Sequence, residues 1–187
     1  MERYTYGNLN EDKNKSYYYS YNNVLSLLDI ISSQFKEISR LSSIGKSYEK
    51  RDMKLLTLGL NIAKNEDGPK SEIPPSILIT SVHHAREVVG VTMNMYTILS
   101  ILHSYHHNDK NIASLLKMHN LYFLPFVNVD GYYKIFDTYY LKNKHYPMIR
   151  KNRHDEGGCS DSNLGVDLNR NYGYRFGYDD RGSSGDK

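Results

Sequence analysis

Between Asn22 and Ile38 the apolar residues Val24, Leu27, Leu28, Ile31, Phe35 and Ile38 recur at the spacing that puts them on one face of a helix. Asn22 or Asn23 is the expected cap. The period then changes. Lys54 to Leu60 has the length and composition of a short strand, and Asn65 to Pro75 is rich in turn formers. Ser76 to Val82 has the apolar character of a buried strand. A second long helix is predicted from about Arg86 to Tyr105, with Val89, Met93, Tyr96, Leu99 and Leu102 as its inner stripe. A short helix near Ile112 to Met118 leads into another apolar strand, Leu121 to Val127. Strands alternating with helices predict an α/β domain, a sheet covered by helices.

After Tyr132 the apolar periodicity fades and Asp, Asn, Gly and Arg take over as far as Lys187. A long irregular stretch of that kind inside a domain is functional or disordered. Residues 1–16 are polar and set apart, so one domain is expected over 17–187. No internal repeat is present.

Composition changes this picture only a little. With 39% hydrophobic and 24% charged residues, the 187-residue chain has an ordinary globular profile and can bury a core. A formal charge of +3, without a basic run, gives no support for a nucleic-acid partner. Met1 to Tyr21 lacks the apolar centre of a signal peptide, and no apolar run reaches membrane-spanning length. The single cysteine, Cys159, has no internal disulfide partner, which leaves a free thiol, an intermolecular bridge or a partner outside this chain. The Tyr17 to Tyr21 cluster is expected to pack on the domain surface. The glycosylation-like triplet Asn14-Lys-Ser16 and the phosphate-loop-like Gly45-Lys-Ser47 both lack the context their chemistry needs.

Four short segments carry groups that do chemistry. His83-His84-Ala-Arg-Glu87 stands where a strand gives way to a helix, and His84 and Glu87 are three apart. One turn can present that imidazole and carboxylate to one point, and both are ligand types that Zn²⁺ accepts, although such a pair also arises by chance. In Gly165-Val-Asp-Leu-Asn-Arg-Asn171, Arg170 offers a planar fork of donors for a carboxylate and Asn169 stands beside it. The same residues also suit a turn that satisfies its own backbone. Ile149-Arg-Lys-Asn-Arg153 reads equally as a solvated face, and Asn128-Val-Asp-Gly-Tyr132 as a turn at a strand end.

Taken together and in this order, the segments resemble the zinc metallocarboxypeptidases of the pancreatic carboxypeptidase A/B type, peptidase family M14. That family shows Gly-Lys/Arg-Ser-Tyr-Glu-Gly-Arg, His-x-Arg-Glu, Asn-Pro-Asp-Gly-Tyr, Arg-Lys-x-Arg and Val-Asp-x-Asn-Arg-Asn. Here these read Gly45-Lys-Ser-Tyr-Glu-Lys-Arg51, His84-Ala-Arg-Glu87, Asn128-Val-Asp-Gly-Tyr132, Arg150-Lys-Asn-Arg153 and Val166-Asp-Leu-Asn-Arg-Asn171. Lys50 stands where the family has glycine, Val129 where it has proline, and Val88 where a tryptophan often follows the zinc glutamate.

The resemblance implies a mixed sheet flanked by helices on both faces, cut short at the C-terminus, and hydrolysis of the C-terminal peptide bond of peptides and proteins. It implies one Zn²⁺ per complete domain, with His84 and Glu87 as its first two ligands. Arg150 would polarise the scissile carbonyl, Arg86 would line the substrate groove, and Asn169 and Arg170 would hold the terminal carboxylate. A third ligand histidine, a closing tyrosine and a general-base glutamate are expected beyond Lys187, so the 187 residues alone are expected to be an inactive fragment. His103, His106 and His107 are expected at the surface, and His119, His145 and His154 lack the context of the third ligand. Cys159 resembles a family cysteine whose partner also lies further on. The expected partner is a peptide C-terminus, met by a monomer in an extracellular or vesicular setting, with no nucleic acid and no membrane. Two alternatives stay open: an inactive relative that binds peptide C-termini without zinc chemistry, and a zinc-dependent deacylase of N-acyl amino acids.

Overall fold

The computed structural model describes residues 18–62, 74–136, 147–155, 157 and 164–178. Cys159, His145, the segment 1–16 with its Asn14 triplet, and most of the loop predicted at 65–75 lie outside the described residues. Helix α1, Tyr21–Gln34, buries Val24, Leu27, Leu28 and Ile31 of the predicted stripe together with Tyr21, but it ends before Phe35 and Ile38, which are buried beyond its last turn. Its cap is Ser20 rather than Asn22 or Asn23: the Ser20 hydroxyl accepts from the Asn23 backbone N–H at 3.1 Å, satisfying one of the free donors of the first turn. Of the tyrosine cluster, Tyr18 is half-buried and two others are packed inside rather than on the surface. Tyr19 and Tyr21 are both buried, and the Tyr21 hydroxyl donates to the Asp52 carbonyl at 2.8 Å.

Strands β1 (Ser39–Lys46) and β2 (Asp52–Leu58) form an antiparallel hairpin with an irregular register after Ser43. The connection places Lys50 at φ 67°, in the left-handed region. A non-glycine residue there costs roughly 1–2 kcal/mol, which explains a glycine preference at this position and makes Lys50 a tolerated strain. Strand β3 (Ser76–Thr80) runs parallel to β4 (Asn120–Leu124), and β4 is antiparallel to β2, giving the order β1-β2-β4-β3. The sheet is mixed, as expected.

Two groups of helices flank it. Helix α1 packs on β1, β2 and α4 (Val129–Phe136), while α3 (Lys110–Met118) packs on β4 and on α2 (Val89–His106). The core joins the α1 stripe to Ile38, Leu56, Leu58, Met95, Ile98, Phe123, Tyr132 and Ile135. No described helix is long and apolar enough to cross a membrane.

Three expectations fail here for physical reasons. Strand β3 is not buried: Ile77 and Leu78 are 45% and 62% exposed, because only one of its edges is paired among the described residues. Helix α2 keeps only part of its predicted stripe inside, Leu102 buried and Leu99 half-buried against the core. Val91, Asn94, Met95, Ile98, Ile101 and Leu102 are buried, whereas Val89, Met93 and Tyr96 are exposed. The helix is apolar on more than one side, so periodicity alone could not set its phase. The Asn128–Tyr132 segment is not a plain turn but the start of α4, which Asn128 caps by accepting the Gly131 N–H on its side-chain oxygen at 3.0 Å. His103, His106 and His107 are exposed at the end of α2, as expected.

Candidate active site

His83–Glu87 follows β3 in a loop that precedes α2, and the chain enters it under strain. Val82 has φ 56°, a backbone conformation that is a marked outlier for a β-branched residue. The segment is pinned on several sides. The Asn128 N–H donates to the Val82 carbonyl at 2.9 Å, Ala85 N–H to the Arg150 carbonyl at 3.2 Å, and Glu87 N–H to the His84 carbonyl at 3.1 Å. That last bond closes the turn which brings the His84 and Glu87 side chains together.

His84 is buried and both of its ring nitrogens have partners. Nε2 lies 3.0 Å from Asp167 Oδ1, and Nδ1 lies 2.9 Å from Glu87 Oε1. Both partners are carboxylate oxygens, so a neutral ring can donate to only one of them: with Nε2–H given to Asp167, the Nδ1 lone pair faces the Glu87 carboxylate. Two lone pairs that face each other require a cation between them, a proton or a metal. Neutral imidazole, carboxylate and an orienting second carboxylate are the donor set of a zinc centre with its outer support. His84 and Glu87 therefore fit two positions of such a site. Among the described residues no group of three His, Cys, Asp or Glu is arranged to hold a metal ion.

Asp167 ties the site together, and sequence reasoning passed over it. Its Oδ1 accepts from His84 and from the Asn169 backbone N–H at 3.0 Å, and its Oδ2 accepts from Arg150 Nε at 2.8 Å. Burial alone would raise the Asp167 carboxyl, but the hydrogen bonds from Arg150 and His84 outweigh it and hold the group below the ordinary carboxylate range. The available signal was its place inside Val166-Asp-Leu-Asn-Arg170; what the sequence cannot show is that His84, 83 positions earlier, is its partner.

Asn169 and Arg170 form the exposed short 3-10 turn Leu168–Arg170 that Asp167 caps. Tyr172 continues the chain back to the His83–Glu87 loop, its hydroxyl 2.6 Å from His83 Nε2. His84, Arg86, Glu87, Arg150, Asn169 and Arg170 all line one cleft of about 990 Å³. The six residues singled out in the sequence are thus brought to a single place, while His103, His106 and His107 are not among the residues that line it.

Comparison with known proteins agrees with this arrangement. The family model described as "Zinc carboxypeptidase" matches residues 24–187. Carboxypeptidase B2 of Bos taurus is 31% identical over 157 residues, 83% of this chain and 32% of that protein. An inactive metallocarboxypeptidase ECM14 of Ajellomyces capsulatus is 31% identical over 155 residues, 82% of this chain and 23% of that one. The crystal structure of thrombin activatable fibrinolysis inhibitor superposes with a TM-score of 0.65 at 28% identity, over 83% of this chain and 34% of that one. The chain spans about a third or less of the length of these proteins. Motif order, sheet topology and family match converge: the chain belongs to the zinc carboxypeptidases, peptidase family M14.

Proposed function

We propose that these residues form the metal-loop and carboxylate-binding part of a zinc-dependent enzyme that removes C-terminal residues from peptides and proteins. The observation that carries the reading is the Asp167–His84–Glu87 chain of contacts at one wall of a cleft that Arg150, Asn169 and Arg170 also line. Zinc, when bound, would act as a Lewis acid and lower the pKa of its water. His84 Nδ1 and Glu87 Oε1 would hold it. Asp167 fixes the tautomer and the plane of the His84 ring, so the ligand atom is set before metal arrives.

Arg150 reaches the metal side of the cleft, its Nη1 3.9 Å from Glu87 Oε1. With Nε held by Asp167, its remaining N–H groups face the place where negative charge builds on a scissile carbonyl oxygen, and an oriented cation there stabilises the transition state more than the ground state. Asn169 and Arg170 would receive the terminal carboxylate of the peptide, which restricts cleavage to the last bond. Arg86 would line the groove for the residues before that bond. A third metal ligand and a proton acceptor for water would have to come from outside the described residues.

Blocked dipeptides with a free or an amidated C-terminus test this in the complete protein that contains this chain. Hydrolysis of the free acid alone, lost on chelation and restored by zinc, is the expected result. A protein that binds free-acid peptides equally well with and without chelator, and cleaves none, would overturn this reading in favour of an inactive binder of peptide C-termini.

A further inference from the structure

The Asn128 side chain touches none of the groups just described, yet it holds the backbone of two of them. It is 2% exposed. Its Nδ2 donates to the His83 carbonyl at 3.3 Å and to the Arg150 carbonyl at 3.3 Å, while its Oδ1 accepts from Gly131 N–H at 3.0 Å. Its backbone N–H reaches the carbonyl of the strained Val82 at 2.9 Å. One residue thus joins the metal loop, the Arg150 segment and the first turn of α4. The packing is too close for a side chain at position 131: a Cβ on Gly131 would lie 2.7 Å from the Ala85 Cβ and 2.7 Å from Asn128 Oδ1.

That turn of α4 is itself fixed from the other side. The buried Asp130 carboxylate accepts from Ser47 Oγ at 2.6 Å, Glu49 N–H at 2.9 Å and Arg51 Nη1 at 2.7 Å, all on the β1–β2 hairpin. The hairpin holds α4, and α4 through Asn128 holds the site.

We propose that Asn128 is a positioning residue that sets the distance between the His84–Glu87 pair and Arg150, with Gly131 admitting the close approach on which this depends. The inference rests on the function proposed above. Both donor contacts of the amide run to carbonyl oxygens, so Asn128→Asp would replace two attractions by two repulsions at constant shape. Loss of an outer support of a metal site typically lowers metal affinity or activity by about 10–100-fold.

The test compares the complete protein with Asn128→Asp, Gly131→Ala and Tyr132→Phe. Tyr132→Phe is the structural control, since its hydroxyl donates to the Tyr19 carbonyl at 2.5 Å in the core. Zinc affinity by chelator competition, the absorption spectrum of the cobalt form, kcat and KM are read alongside the unfolding midpoint. The expected result is that Asn128→Asp and Gly131→Ala each lower zinc affinity and kcat by about 10–100-fold, shift the cobalt spectrum and move KM far less. Tyr132→Phe is expected to lower the unfolding midpoint while leaving kcat and the spectrum alone. Wild-type kcat and zinc affinity in both site variants would overturn the inference, as would losses that merely follow the midpoint as in Tyr132→Phe. A wild-type protein that takes up no zinc and cleaves no peptide would overturn the functional reading, and the inference with it.

Discussion

The two walls of the cleft are built differently. On the side proposed to hold metal His84 is buried, both of its nitrogens are paired, and the loop carrying it is tied to Asp167, Arg150 and Asn128, while the Glu87 side chain is 59% exposed to the cleft. On the carboxylate side Asn169 and Arg170 are exposed, and the chain runs on through Tyr172, Tyr174, Phe176 and Tyr178, which are 59–84% exposed. Metal-site geometry must be set to a fraction of an ångström before any ligand arrives, and buried, paired groups give that. A surface that receives a flexible peptide end can be completed by what binds to it. The contrast locates stiffness at the metal loop and leaves selectivity to the other wall.

The largest effect should come from the support behind the metal wall. Asp130→Ala would leave the Ser47 hydroxyl and the Glu49 N–H without their acceptor and Arg51 with Glu49 as its remaining carboxylate, and a loss of about 2–3 kcal/mol in urea-measured stability is expected. Next, Asp167→Asn keeps the shape but disturbs the His84 tautomer, and zinc affinity measured against a chelator should fall about 10–100-fold. Arg170→Ala separates the walls most cleanly: kcat/KM for a free-acid peptide should drop about tenfold or more, with zinc affinity and stability unchanged. If zinc affinity fell too, the two walls would not be independent. The smallest change is Lys50→Gly, which relieves the positive φ and should raise stability by about 0.5–1 kcal/mol in the same urea assay.

How much of this was readable in the sequence depended on how local the signal was. Helix α1 and the members of the cleft were legible, the first because its stripe has a single phase, the second because the residues stand in short motifs. Strand β1 was missed because Ser39–Lys46 is mostly polar and its burial fades along its length. Helix α4 was missed because Asn128, Asp130 and Gly131 together read as a turn; here Gly131 lies in a helix, and the position is glycine because Ala85 and Asn128 leave no room for a side chain. Helix α2 was found with Leu99 and Leu102 inside as expected, but Val89, Met93 and Tyr96 face outward. Asp167 and Asn128 have roles fixed by partners far along the chain, and no single-sequence pattern encodes such pairings.

The strand order has a consequence for how the chain comes together during synthesis. Strand β4 is the last of the four to be made, yet it lies between β2 and β3. The β1–β2 hairpin can close locally as soon as it emerges, but β2 and β3 cannot join one sheet until Asn120–Leu124 arrives. More than 60 residues separate Leu58 from Asn120, an interval of about 3–12 s at ordinary rates of translation of roughly 5–20 residues per second. The hairpin's inner edge waits through that interval and β3, once made, through the rest of it, so among the described strands the emergence of β4 is the step that joins them into one sheet.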